Sequence, residues 1–191
     1  MDCGLSAGIT CPLVMSCDAV VDSKPLTTMP KPTVYVETSV VSYLTAVGSR
    51  DVVLVAHQEL TRTWWASRDE FSLFASRFVR DEASAGDAGA AQRRLDALRG
   101  IPLLGITEDA ISLASRLVSE GGLPAKARVD ALHVAVATVH GMDYLLTWNC
   151  KHIANASLRS KIEAICKASG FLPAVICTPF ELPKDLPDAI F

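Results

Sequence analysis

The apolar positions of this chain fall into short runs separated by amphipathic stretches of helical length. "TVYV", from Thr33 to Val36, is a β-rich run, and "ETSVVSYL" after it carries hydroxyls placed for a turn and a helix start. "DVVLVAHQELTRTWWASRDE" has helical length, with Leu54, Leu60, Trp64 and Trp65 among its apolar positions. "EFSLFAS" predicts a second strand, after which Ser76 can cap a helix running through Phe78, Val79 and Glu82. "DAGAAQRRLDALRG" predicts a polar-faced helix stopped at Gly100. "IPLLG" predicts a third strand, and Thr107 opens the helix of "EDAISLASRLVSEG". Past a Gly-Gly-Leu-Pro break come a helix in "ARVDALHVAVATVHG", a strand in "DYLLT", a helix in "SLRSKIEAICKASG" and a fifth strand in "PAVICT". Short apolar strands alternating with helices predict an α/β fold, with helices on both faces of a parallel sheet.

Regular patterning starts at Thr33. Before it, Ala7 to Val21 is moderately apolar, but Asp18 interrupts the run and no Lys or Arg precedes it, so it makes a poor signal peptide. Pro25, Pro30 and Pro32 then break regular structure. The expected organisation is a loosely ordered extension over 1–31, one folded domain over 32–183 and a tail over 184–191. A chain of 191 residues suits a single domain with a real core. No apolar run reaches the ~20 residues needed to span a bilayer, so no membrane association is expected. The six cysteines are scattered without a C-x-x-C pair, which favours reduced thiols in a cytoplasmic protein over structural zinc. With a net charge of -3, any nucleic-acid binding must use local basic clusters.

Ligands of parallel α/β sheets bind beyond the carboxyl ends of the strands. After the first strand stand Glu37, Thr38 and Ser39; after the fourth stand Thr147, Trp148, Asn149, Lys151 and His152. Glu37 follows a buried-looking strand with no local basic partner, which is costly for a carboxylate unless something compensates it. Backbone N–H groups of a helix start are one such compensation, and a ligand is the other. Glu82 shares a helical face with Phe78 and Val79 and turns partly inward, whereas Asp81 can face solvent. Asp130 lies in the first turn of the apolar helix "DALHVAVA", where the helix dipole alone could account for it. His133, one turn on, reads first as a hydrogen-bonded, half-buried histidine. Three carboxylates at one rim repel unless a cation sits among them, and hard oxygen ligands suit Mg²⁺ or Mn²⁺. Arg77, Arg80, Lys126, Arg128 and Lys151 lie near these acids in sequence and could guide a phosphate backbone, although each is equally an ordinary surface charge.

"VYVETSVVSYL", "SRFVRDEA", "VDALHVAVA" and "DYLLTWN" together resemble the four successive motifs of PIN domains, as found in VapC-like toxin ribonucleases. The likeness runs in order from about Thr33 to the strand near Ile176. It implies a three-layer α/β/α fold with a central parallel sheet of about five strands. It also implies Mg²⁺- or Mn²⁺-dependent hydrolysis of RNA phosphodiester bonds, a homodimer, and an antitoxin protein as partner. By this resemblance Glu37, Glu82, Asp130 and Asn149 are the catalytic positions, and Glu37, Glu82 and Asp130 the metal ligands. Thr38, Ser39 and Thr147 match its hydroxyl positions and, with Lys151 and His152, are expected on the substrate side.

Two positions depart from the family pattern: Glu37 replaces the usual first Asp, and Asn149 the common fourth Asp. Asn149 keeps a carbonyl oxygen but loses a charge, which weakens a second metal. The alternative is therefore a PIN-fold protein with weakened catalysis that acts by binding RNA or protein. A serine hydrolase is poorly supported, because the chain has no G-x-S-x-G elbow. Trp148 could stack on a base, or pack in the core.

Overall fold

In a computed structural model, residues 30–182 are described. The expected extension, apart from Pro30 and Lys31, and the expected tail lie outside those residues.

The first strand, β1 (Thr33–Val36), is buried on both faces: Val34, Tyr35 and Val36 are all 0% exposed. That is why its sequence shows no polar alternation. It pairs in parallel with β2 (Ser72–Ser76) on one side and β4 (Tyr144–Leu146) on the other. Two shorter strands, β3 (Leu103–Leu104) and β5 (Val175–Cys177), complete a five-stranded parallel sheet of order β3-β2-β1-β4-β5. The fold is the α/β architecture that the strand–helix alternation predicts. β3 keeps only two residues of "IPLLG", because Pro102 has no N–H to donate and contributes only its carbonyl, which accepts from Ala75 N at 3.0 Å.

Helices α1 (Thr38–Thr45) and α2 (Val52–Ala66) connect β1 to β2, and α3 (Arg77–Ala83) and α4 (Ala88–Ala97) connect β2 to β3. α5 (Glu108–Ser119) and α6 (Arg128–Val139) return the chain to β4, and α7 (Ala156–Ala168) leads to β5. Because the sheet grows outward from β1 to β3 and then resumes at β4, right-handed crossovers place α1–α4 on one face and α5–α7 on the other. The packing agrees: α1 contacts α2, α3 and α4, while α5 contacts α6 and α7. Caps start several of these helices where the sequence marks them. Ser76 accepts from Val79 N at 3.4 Å at the start of α3, and Thr107 accepts from Ala110 N at 3.2 Å at the start of α5. Beyond α4, Gly100 sits at φ +82°, a left-handed stop that favours glycine.

The strand order reverses between β1 and β4, so the carboxyl ends of these two strands flank the crevice where such sheets hold ligands. Their register is pinned at both ends. At the amino end, the Asp143 carboxylate accepts from Thr33 N and Thr33 Oγ1, each at 2.8 Å. At the carboxyl end, Glu37 N donates to Leu146 O at 3.0 Å, next to the Val36–Leu146 pair. Glu37 and Thr147 thereby emerge side by side.

Candidate active site

Glu37 is the N-cap residue of α1, but its carboxylate does not cap the helix. It turns instead toward the β4 edge, where Oε2 accepts hydrogen bonds from Ser39 Oγ and, at 2.7 Å, from Thr147 Oγ1. The residue is only 6% exposed. Ser39 Oγ also accepts from Trp148 N at 2.8 Å, and Thr147 Oγ1 accepts from Asn149 N at 2.9 Å. The two hydroxyls therefore hold both the acid and the backbone of the loop after β4. The helix-cap explanation of Glu37 that the sequence left open is not realised.

Glu82 reaches the same crevice from α3. Asp81 beside it is exposed, as the helical-face reading predicts. Glu82 Oε2 accepts from Thr38 Oγ1 and lies 3.0 Å from His133 Nε2 on α6. Burial pushes the Glu82 carboxyl up, but the hydrogen bonds from His133 and Thr38 work against it, and the group titrates below the ordinary Glu value.

His133 is nearly sealed, at 1% exposed, rather than half-buried. Its Nδ1 lies 2.9 Å from Tyr35 Oη, which in turn lies 2.7 Å from Ser76 Oγ. Burial pushes the Tyr35 phenol well above its ordinary value, so it stays protonated despite the Ser76 hydrogen bond. With the imidazole neutral, Nε2–H donates to Glu82 and Nδ1 accepts from Tyr35. A chain of side chains, Ser76–Tyr35–His133–Glu82–Thr38, thus runs from the core to the crevice. Its inner members were not among the expected site residues. Two signals could have raised them: a tyrosine inside an all-buried strand, and a histidine on the interior face of an apolar helix.

One ligand atom each from Glu37, Glu82 and His133 lie within 4.8 Å of one another. This trio is the metal-capable group among the described residues, and Asp130 is not in it. Asp130 instead accepts from Asn149 Nδ2 at 3.0 Å through Oδ1 and from His152 Nδ1 at 2.6 Å through Oδ2. Asn149 Oδ1 closes the cluster by accepting from His152 N at 3.1 Å. Asn149 thereby fixes the acid and the histidine together and connects them through its own backbone to Thr147 and Glu37.

Lys151 is exposed, as are Arg77, Arg80, Lys126 and Arg128. Trp148 does not present a face for a base. Its ring is stacked on His57 at 4.1 Å, meets Tyr43 edge-on at 6.0 Å and donates Nε1–H to Thr61 Oγ1 at 2.7 Å. Of the open readings of Trp148, core packing is the one realised. Trp64 is likewise buried, at 3% exposed.

No protein-family model and no curated protein matches this chain. Among solved structures, it is similar to a chain in the crystal structure of VapBC2 from Rickettsia felis bound to a DNA fragment from its promoter. Identity is 14%, the match covers 76% of this chain and 98% of that one, and the TM-score is 0.45. No helix of the described residues is long and apolar enough to cross a membrane.

Proposed function

We propose that this protein is a metal-dependent ribonuclease that hydrolyses RNA phosphodiester bonds, acting in the cytoplasm as the toxin of a toxin–antitoxin pair. The observation that carries this reading is the convergence of Glu37 and Glu82 at the sheet's switch point, where, among the described residues, hydroxyls and a histidine but no Lys or Arg contact the two carboxylates. Adjacent acids without a Lys or Arg partner among the described residues are the donor set of a divalent cation, and the residues present fit Mg²⁺ or Mn²⁺. The four ordered motifs supply the substrate class and suggest a homodimer and an antitoxin partner.

In this reading Glu37 and Glu82 hold the ion, with Asp130 as the third acid. A bound divalent cation supplies charge stabilisation at the phosphate and makes water a better nucleophile. Ser39 and Thr147 orient the Glu37 carboxylate, and Thr38 and His133 orient that of Glu82. Lys151 and His152 lie on the substrate side, where Lys151 attracts a phosphate oxygen and Asp130 holds the His152 ring in place.

The test is cleavage of a panel of structured and single-stranded RNAs with Mn²⁺, Mg²⁺ or chelator, beside identically purified Asp130→Asn and Glu37→Gln proteins. Cutting that needs the metal and disappears in both variants is expected. Cutting retained by the variants, or persisting in chelator, rules the assignment out. The second reading, an RNA- or protein-binding member with weakened catalysis, is favoured by one contact: the Asn149 amide occupies Asp130 where a second acid would serve a metal. It predicts RNA retention that is unchanged by chelator, without cleavage.

A further inference from the structure

We propose that His133 is a nitrogen ligand of the Glu37–Glu82 centre, and that this centre therefore selects Mn²⁺ over Mg²⁺. The inference rests on the metal-dependent reading above and names the ligand that the acids alone do not reveal. His133 offers a ring nitrogen within 4.8 Å of ligand atoms of both Glu37 and Glu82, a closeness Asp130 does not share. The ring is 1% exposed, so no solvent-facing rotamer competes for it. Glu37 is itself 6% exposed, yet both of its side-chain hydrogen bonds fall on Oε2. Its Oε1 accepts no hydrogen bond among those of the described residues and is not one of their sealed, unpartnered polar atoms, which leaves a carboxylate oxygen open to an ion.

The residues behind the ring can support ligation. A neutral imidazole that coordinates through Nε2 must carry its proton on Nδ1, and that proton needs an acceptor. Tyr35 Oη stands there at 2.9 Å. Tyr35 then directs its own proton to Ser76 Oγ at 2.7 Å. The change is a shift of one proton from Nε2 to Nδ1 and a reversal of the Tyr35 hydrogen bond; no net charge enters the core. Glu82 loses the His133 N–H donor, keeps Thr38, and gains the cation. Imidazole suits the later first-row ions best, but Mn²⁺, at the start of that series, still takes a nitrogen ligand more readily than Mg²⁺, which holds to oxygen ligands and its own waters. Two carboxylates alone would not discriminate between them in this way.

Electron spin-echo envelope modulation of the full-length protein with one equivalent of Mn²⁺ reads the ligand directly. A ¹⁴N modulation is expected, replaced by the ¹⁵N pattern when the protein is made with ¹⁵N-histidine. It is expected to persist in His152→Gln, which removes the neighbouring histidine, and to vanish in His133→Gln. In equilibrium competition, Mg²⁺ displaces Mn²⁺ from the native protein only at large excess, and that excess falls in His133→Gln. Mn²⁺ bound without a nitrogen coupling, or with one that survives His133→Gln, overturns the ligand assignment and leaves the metal centre standing. Absence of any bound Mn²⁺ overturns both.

Discussion

Replacing Tyr35 by Phe removes one oxygen atom from the centre of the molecule and changes little else, because the ring and its 0% exposed packing remain. The oxygen has two partners, Ser76 Oγ at 2.7 Å and His133 Nδ1 at 2.9 Å. Once it is gone, His133 Nδ1 is a buried acceptor with nothing to accept. Ser76 still accepts from Val79 N at 3.4 Å, so its loss is smaller. A buried polar group left unpaired costs ~1–3 kcal/mol, and the pair together should cost about 2–4 kcal/mol. For a chain of this size that is a fall in melting temperature of roughly 4–16 °C, at about 2–4 °C per kcal/mol. Urea unfolding of the metal-free protein, followed by circular dichroism, measures the difference. A double-mutant cycle with Ser76→Ala should show coupling of about 0.5–3 kcal/mol, since each single change strands the other's partner. A Tyr35→Phe loss below ~0.5 kcal/mol, or additivity with Ser76→Ala, would mean that the hydroxyl is not the link between strand and helix described here.

Asn149→Asp replaces an amide that donates to Asp130 with a second carboxylate. Without metal it should destabilise the protein by about 1–3 kcal/mol at neutral pH, and saturating Mn²⁺ should raise its melting temperature more than that of the native protein. An equal Mn²⁺ response in both proteins would refute this. Burial pushes the Cys177 thiol up to about 12 and also raises Cys166, whereas Cys150 is exposed. Of these three thiols, Cys150 should therefore be alkylated first, as read by peptide mass spectrometry at pH 8. The same Cys177 shift means the folded state keeps a proton that the unfolded state releases, so its contribution to stability is complete below about pH 9 and is lost as pH rises towards about 12. Gly122→Ala would place a Cβ 2.8 Å from Ile165 Cδ1 and 3.1 Å from Leu117 O, and should cost roughly 1–3 kcal/mol in urea unfolding.

Most of the scaffold was legible because it is written in local terms. "TVYV" and "DYLLT" are short apolar runs between helical stretches, Ser76 and Thr107 stand at the helix starts they cap, and the inward turn of Glu82 follows from its spacing to Phe78 and Val79. The convergence of Glu37 and Thr147 followed from a topological rule applied to two strand ends. What local patterning cannot encode is which polar side chains meet across the sheet. Tyr35 and His133 are 98 positions apart, and although each is a polar residue in an apolar segment, nothing in either segment names the other as its partner. Asp130 illustrates the converse. Its place in the first turn of α6 was readable, but its engagement by His152 and Asn149 depends on how the loop after β4 folds back through Ser39 and Thr147. Trp148 has the same origin, since its burial is decided by His57, Tyr43 and Thr61 from α1 and α2.

The pairing of Glu37 with Thr147 across 110 positions also orders events in time. A ribosome adding about 5–20 residues per second reaches Thr147 roughly 5–20 s after Glu37. Until then Glu37 has no β4 edge to turn toward, Asp130 has no Asn149 or His152, and β1 lacks one of its two neighbours. A nascent chain stalled anywhere before β4 holds the first acids of the crevice without the crevice itself. The machinery that makes the protein meets the finished centre only after about three-quarters of the domain has been synthesised.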